Sequence, residues 1–438
     1  MPLTDRFDLP LTTRSAAAVG HYVEAVDLLL SANAGADALL ERALASDPDF
    51  ALAHAARARL HQLAACPHAA AAEIAAARAL APRLSPRERG HIAAIGLAID
   101  GDAAAALAQV EAQIAEYPRD ALPLSLALGV YGLLGFSGRR DHHQAQRALL
   151  EGLAADWGED WWFLAYLGWA RIETGALAEG IPLVERALAL NPRNAHAAHA
   201  RAHGYHEAGD AGGGASFLAA WRRGYDPASQ LYGHISWHLA LFELACGNAE
   251  EAAAIYRGSL RPHAVQGAPL PSLADAASFL WRWRLYDTAP SLDAEWAEVA
   301  AHARRHFPRA GLAFADLHAA LAAAAVGDRD GLAARIAELE RRDGEGRLPA
   351  GAVVPTLCAA LGAFAGGAPG KAAMLLEKAL PDLPRIGGSH AQRELFEDTL
   401  IAAYLRAGAA AAAKTLLSAR LARRPSARDE AVLALCSR

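Results

Sequence analysis

Four histidines stand at spacings of three, four and three in His196-Ala-Ala-His199-Ala-Arg-Ala-His203-Gly-Tyr-His206, with Glu207 directly after them. At about 100° per residue of helix they share one narrow arc. A second pair, His234 and His238, follows His199 and His203 at a constant step of 35 residues. That step is one helix-turn-helix repeat, so in a stack of such repeats the two pairs face each other. Imidazoles in register support three kinds of chemistry. Neutral ring nitrogens ligate zinc, copper or nickel, and two histidines four apart on a helix share an ion. Titration near neutral pH makes them general acids and bases. The third arrangement is a closed hydrogen-bonded network, as buried polar groups require.

His199, His203, His238, Asp275, Asp316 and His318 are accordingly the candidate acid/base residues. His199, His203, His234 and His238 are the candidate metal ligands in an alternative use of the same side chains, and Trp237, Trp281 and Arg282 are candidates for a ligand pocket. Asp275, Asp316 or Glu207 would hold a ring in one tautomer, and Trp161, Trp162 and Trp283 would add apolar wall. The helical metalloprotease pattern, with Glu after the first His, is absent, since Ala200 and Ile235 stand there. A transition metal such as zinc and no cofactor at all both fit these residues.

The elements that must position them are helices. Alanine and leucine abound while β-branched residues are sparse, and apolar residues recur at three and four between Gly, Asp-Pro and Asn-Pro breaks. Residues 14 to 31 form the first helix, with Thr13 or Ser15 as its cap. Pro48, Pro82, Pro118, Pro192, Pro227 and Pro262 punctuate the chain at steps of 34, 36, 74, 35 and 35. A period of this size marks paired-helix arrays. The clearest unit, Trp161 to Pro192, carries Leu164, Leu167 and Gly168, a turn at Gly175, then Val184 and Ala187. It resembles the tetratricopeptide repeat, with Arg171 and Gly180 where that repeat prefers an aromatic and an alanine.

Four blocks taken together resemble a more particular family. They are His199-x-x-x-His203 ending at Gly209, Trp237-His238-Leu-Ala240, Asp275-Ala-Ala-Ser278-Phe-Leu-Trp281-Arg282, and Phe314-Ala-Asp316-Leu-His318. In order, they are similar to the bacterial relatives of tetratricopeptide repeat protein thirty-eight. The resemblance covers about residues 120 to 330 and implies a tetratricopeptide-like solenoid without implying a reaction. The expected fold is therefore all-α, a tetratricopeptide-like α-solenoid (an α-α superhelix) of helix-turn-helix repeats. Its parts are N-terminal repeats over 1–120, a central His-rich stretch over 121–330, and C-terminal repeats with a cap over 331–438, in one continuous array.

Smaller features complete the expectations. The turn Gly209 to Gly214 joins two helices and lacks the Lys-Ser/Thr of a phosphate loop. Asp141 caps the helix that follows it, and His142 and His143, being adjacent, are expected at the surface. A net charge of −6 argues against a nucleic-acid partner. Cysteines 66, 246, 358 and 436 form no Cys-x-x-Cys pair, which suits reduced thiols and excludes a thiolate zinc knot. With no apolar run of membrane-spanning length and no leader-like N-terminus, the expectation is a cytoplasmic protein with no membrane partner. Two functional classes follow. One is an interior site for a small molecule or metal doing hydrolytic or proton-transfer chemistry, and the other is an adaptor holding a peptide on its concave face.

Overall fold

The computed structural model describes residues 3–264, 267–286 and 291–436. Among these residues helices succeed one another through short turns, from Ala16–Leu30 and Ala36–Ser46 to His390–Arg406 and Ala410–Arg423. The only extended pairing among them is a single bridge between Thr4 and Pro10. The architecture is an all-α, tetratricopeptide-like superhelix of helix pairs.

Local chemistry sets the boundaries. Ser15 caps the first helix, its hydroxyl accepting from the Ala18 amide at 3.2 Å. The Asp160 carboxylate accepts from the amides of Trp162 and Phe163 and starts Trp161–Glu173. Asn194 does the same for Ala195–Ala208 and donates to the Trp161 carbonyl at 3.1 Å, tying one repeat to the next. Such caps satisfy amides that the first turn leaves unpaired. Asp141 precedes its helix without capping it, because its carboxylate is engaged by Arg139 at 2.8 Å.

Helices Trp161–Glu173 and Leu177–Leu190 approach through two glycines. A Cβ on Gly168 would lie 2.6 Å from Val184 Cγ2 and 2.8 Å from the Gly180 carbonyl oxygen. Backbone cannot yield as a side-chain tip can, so overpacking here outweighs the gain in helix propensity. Gly168→Ala should lower stability by about 1–3 kcal/mol in urea denaturation; an unchanged or raised midpoint would show that the helices separate freely. The glycine-rich stretch differs from its expected form. The turn is only Gly209 and Asp210, and Gly212, Gly213 and Gly214 lie inside helix Ala211–Trp221. The Asp210 carboxylate accepts from the Gly213 amide at 2.8 Å and draws the helix start forward. Gly214 is there for close approach, since a Cβ would meet the Phe242 ring at 2.6 Å.

The apolar interior divides at the histidine helix. One core runs from Phe7 to Ala197 and Ala200; the other includes Ala195 and Ala202 and continues to Ala413. Helix His390–Arg406 then returns to the middle of the array. Its N-terminal amide donates to Glu173 at 3.0 Å, Arg393 reaches His142 and His143, Thr399 accepts from Trp281 Nε1 at 2.9 Å, and Ala391 accepts from Arg282. The C-terminal helices therefore close over the interior instead of merely capping one end.

Candidate functional site

Four successive first helices carry the site: Trp161–Glu173, Ala195–Ala208, Tyr232–Ala245 and Pro269–Leu285. The repeat places His199 and His203 opposite His234 and His238, and ring centroids across the group lie 4.5 to 5.1 Å apart. In an ordinary repeat these positions pack a helix against its own partner. Here the rings turn along the array to the neighbouring first helices. His203, His234 and His238 are buried and His199 keeps some exposure.

The contacts are ordered. His199 Nε2 lies 3.0 Å from His203 Nε2 and 3.1 Å from His234 Nε2. At the far ends stand carboxylates: Asp275 Oδ1 is 2.9 Å from His234 Nδ1, and Glu173 Oε1 is 2.8 Å from His203 Nδ1. One ring nitrogen from each of His199, His234 and His238 lies within 4.8 Å of the other two. His238 Nε2 is buried with no hydrogen-bond partner among the described residues. Burial, reinforced by the neighbouring imidazoles, holds His199 and His238 well below the ordinary histidine value, so both are neutral. Burial alone would raise Glu173, but His203 and His390 outweigh it and keep its carboxyl well below the usual range.

A neutral imidazole offers one N–H and one lone pair. In their neutral forms, with N–H at the Nδ1 atoms that face carboxylates, His203 and His234 would each carry a lone pair on Nε2. His199 Nε2 lies between them and, with a single proton or lone pair, closes a good hydrogen bond with only one. As a metal-free network the cluster is left with a conflict; as a donor set it presents lone pairs converging on one point.

Other expected site residues are placed elsewhere. Asp316 holds no ring: it accepts from the Gly311 amide at 2.8 Å and pairs with Arg335. His318 donates to the Phe314 carbonyl at 2.7 Å and packs on that ring. Glu207 faces His390 at 3.4 Å, and His206 pairs with Glu394 and Arg424. His196 lies beside the Tyr166 hydroxyl. Trp237 belongs to the site as a support, with its ring stacked on His234 and its Nε1 donating to Ser278 at 2.9 Å. Trp281 and Arg282 do not border the cleft at His234. Trp281 is packed against helix His390–Arg406, and Arg282 lies over Trp237 and 3.5 Å from Asp398.

His142 and His143 are buried, against their expected exposure. Adjacent residues on a helix diverge by about 100°, yet both rings converge on Arg393 at 3.3 and 3.2 Å, with centroids 4.0 Å apart. His143 also lies 3.4 Å from Glu173. Glu173 is thus the hub that the sequence did not single out, joining His203, His143 and the amide of His390. Its signal was a carboxylate ending a helix that is otherwise apolar but for Arg171.

Burial and the Arg393 charge press His142 down to about 4, and burial with Arg282 does the same for His318. A ring whose folded value lies below its unfolded one of about 6.5 adds stability that is complete above 6.5 and lost as pH falls toward 4. Each ring should withdraw on the order of 3 kcal/mol across that window, most of it before carboxylates titrate. Urea midpoints should therefore drop steadily between pH 6.5 and 4.5. A flat profile there would mean these imidazoles reach water in the folded protein.

A cleft opens beside His234 and Asp275, bordered by Ser229, Gln230, Ser259 and Ser272, with open space of about 20 Å³. That admits about one water. Among the described residues no helix is long and apolar enough to cross a membrane.

No family model matches the chain. Among solved structures it is similar to a chain of the Cut9–Hcn1 hetero-tetramer of the APC/C, at 13% identity over 91% of this chain and 79% of that one, with a TM-score of 0.39. Human IFIT1, as a dimer with m7Gppp-AAAA, gives 13% over 88% and 85%, with a TM-score of 0.42. Yeast Tom70 gives 14% over 95% and 86%, with a TM-score of 0.34. Nothing about this chain's chemistry follows from likenesses of that degree.

Proposed function

We propose that the chain is a metal-binding solenoid in which His199, His234 and His238 hold one divalent transition metal, zinc being the type case. The observation that carries this reading is that one ring nitrogen from each of His199, His234 and His238 lies within 4.8 Å of the other two, with Asp275 on the far side of His234. A tetrahedral ion with bonds of about 2.0–2.1 Å separates its ligand nitrogens by about 3.3 Å, close to the 3.1 Å between His199 and His234, and His238 closes in from within 4.8 Å by ring rotation. A bound cation would also give a partner to His238 Nε2, which is buried without one among the described residues. Asp275 and Glu173 bring two buried negative charges toward an ion carrying two positive ones. Carboxylates on ligand imidazoles are the usual outer support of such ions.

Three imidazoles leave a coordination position open, and His203, backed by Glu173, stands beside it as a fourth ligand or as proton acceptor for bound water. Water on zinc ionises near neutral pH, so the chemistry open to the site is hydrolysis or proton transfer on a small substrate. The resemblance to the tetratricopeptide repeat protein thirty-eight family is part of this proposal, because its blocks contain His199, His203, His238 and Asp275. So is a reducing, cytoplasmic setting, in keeping with four free cysteines. Helix His390–Arg406 packs against the site's helix Pro269–Leu285 and reaches Glu173, which supports the interior site over an adaptor role.

Metal analysis of tag-free protein after incubation with zinc should give one ion per chain; substoichiometric traces would end this reading. Asp275→Asn keeps the shape but loses the charge on His234 Nδ1, and should weaken zinc binding about 10- to 100-fold in competition with a chromophoric chelator. Unchanged affinity would place Asp275 outside the ion's environment.

A further inference from the structure

The histidine group is enclosed on most sides. Glu173, His143 and Arg393 close it toward the C-terminal helices, and Trp237 covers His234. His234 and Asp275 alone among the cluster residues also border the cleft described above. The rest of its polar border is Ser229, Gln230, Ser259 and Ser272, whose oxygens stand in for the water shell of an entering cation. Among the described residues no lysine or arginine lines it, and Asp275 is the only carboxylate there. Arg222 reaches Ser259, but the same guanidinium nitrogen is shared with Ser236, each at 3.0 Å. A polar opening that carries one carboxylate and ends on a candidate ligand has the chemistry of a cation entrance.

We propose that this cleft is the port through which the divalent ion exchanges and through which water-sized ligands reach its open coordination position. The inference rests on the metal reading and adds a direction of access and a size limit. Space for about one water excludes bulky substrates from the metal in this conformation. The ligands that pass are water and, more slowly against the Asp275 charge, linear anions no wider than a water molecule, such as azide.

The test is kinetic. Gln230→Trp and Ser272→Phe change rim residues that form no hydrogen bond with the four imidazoles among the described residues, while exposed Met374→Trp is the control. Cobalt(II) uptake by metal-free full-length protein is followed by visible absorption in stopped flow, with azide then added to the loaded protein. A blocked port slows entry and exit alike, so both rim variants should load at least about tenfold more slowly with unchanged final stoichiometry and affinity. Their azide-induced spectral change should slow in parallel, and Met374→Trp should match the parent. Parent-like loading in both rim variants, with one cobalt bound per chain, overturns the port and leaves the metal site standing. A parent protein that takes up no cobalt removes both readings.

Discussion

The double variant His199→Ala, His234→Ala should fold and yet bind zinc about 10³- to 10⁴-fold more weakly than the parent. Structural zinc is held with about 10–16 kcal/mol over four ligands, so two ligands account for roughly 5 kcal/mol or more. A hydrogen-bonded network without metal predicts something different. There the two substitutions would cost stability in the metal-free protein, and added zinc would change nothing. In the metal reading the parent gains stability from zinc by mass action, about 2.7 kcal/mol when free ion exceeds the dissociation constant a hundredfold. The double variant gains none. Thermal unfolding of both proteins with and without zinc separates the cases, and an equal zinc response in the two would remove these histidines from any metal site.

Arg420→Met should lower stability by about 3–5 kcal/mol, the largest single-residue effect expected in the molecule. The Arg420 guanidinium is buried and lies 2.8 Å from Asp398, 3.0 Å from Glu394 and 2.9 Å from Asp429. Met fills much of the volume but leaves three crowded carboxylates to Arg424, Arg428, Arg282, His206 and the Tyr286 hydroxyl. Burial works against the charge of Asp398, and Arg420 leads the guanidiniums that hold it below its usual value. Without Arg420 that carboxyl must rise. The loss should be greatest at neutral pH and shrink as pH falls toward about 5, where a raised carboxyl protonates in the folded state. Urea titrations of parent and variant at both pH values check this. A deficit below about 1 kcal/mol, the range of exposed pairs, would show that the C-terminal helices are not held over the interior by this cluster.

The sequence made some of this legible for physical reasons. Proline and Asn-Pro punctuation fixes the length of a helix pair, so a step of 35 between His199 and His234 carries directly into three dimensions, and the rings meet. Asp275, 41 residues after His234, is off that step; it stood out through the block Asp275 to Arg282, and the fold brings it to His234 Nδ1. Glu173 was not singled out, because a carboxylate near a helix end reads as surface until the fold buries it. His142 and His143 lie 251 and 250 residues before Arg393, and no periodicity links elements so far apart along the array. Asp316 and His318 fit the pattern as well as Asp275 does, yet local partners, the Gly311 amide and the Phe314 carbonyl, claim them first. Repeat phase therefore locates neighbours along the array and says little about contacts across its axis.

The most direct measurement is zinc-edge X-ray absorption on the tag-free, zinc-loaded full-length protein. The account predicts a first shell of nitrogen and oxygen scatterers at about 2.0–2.1 Å, with the outer-shell pattern of at least three imidazoles and no sulfur. A spectrum dominated by sulfur, or by water with one imidazole or none, would place the ion elsewhere and contradict it.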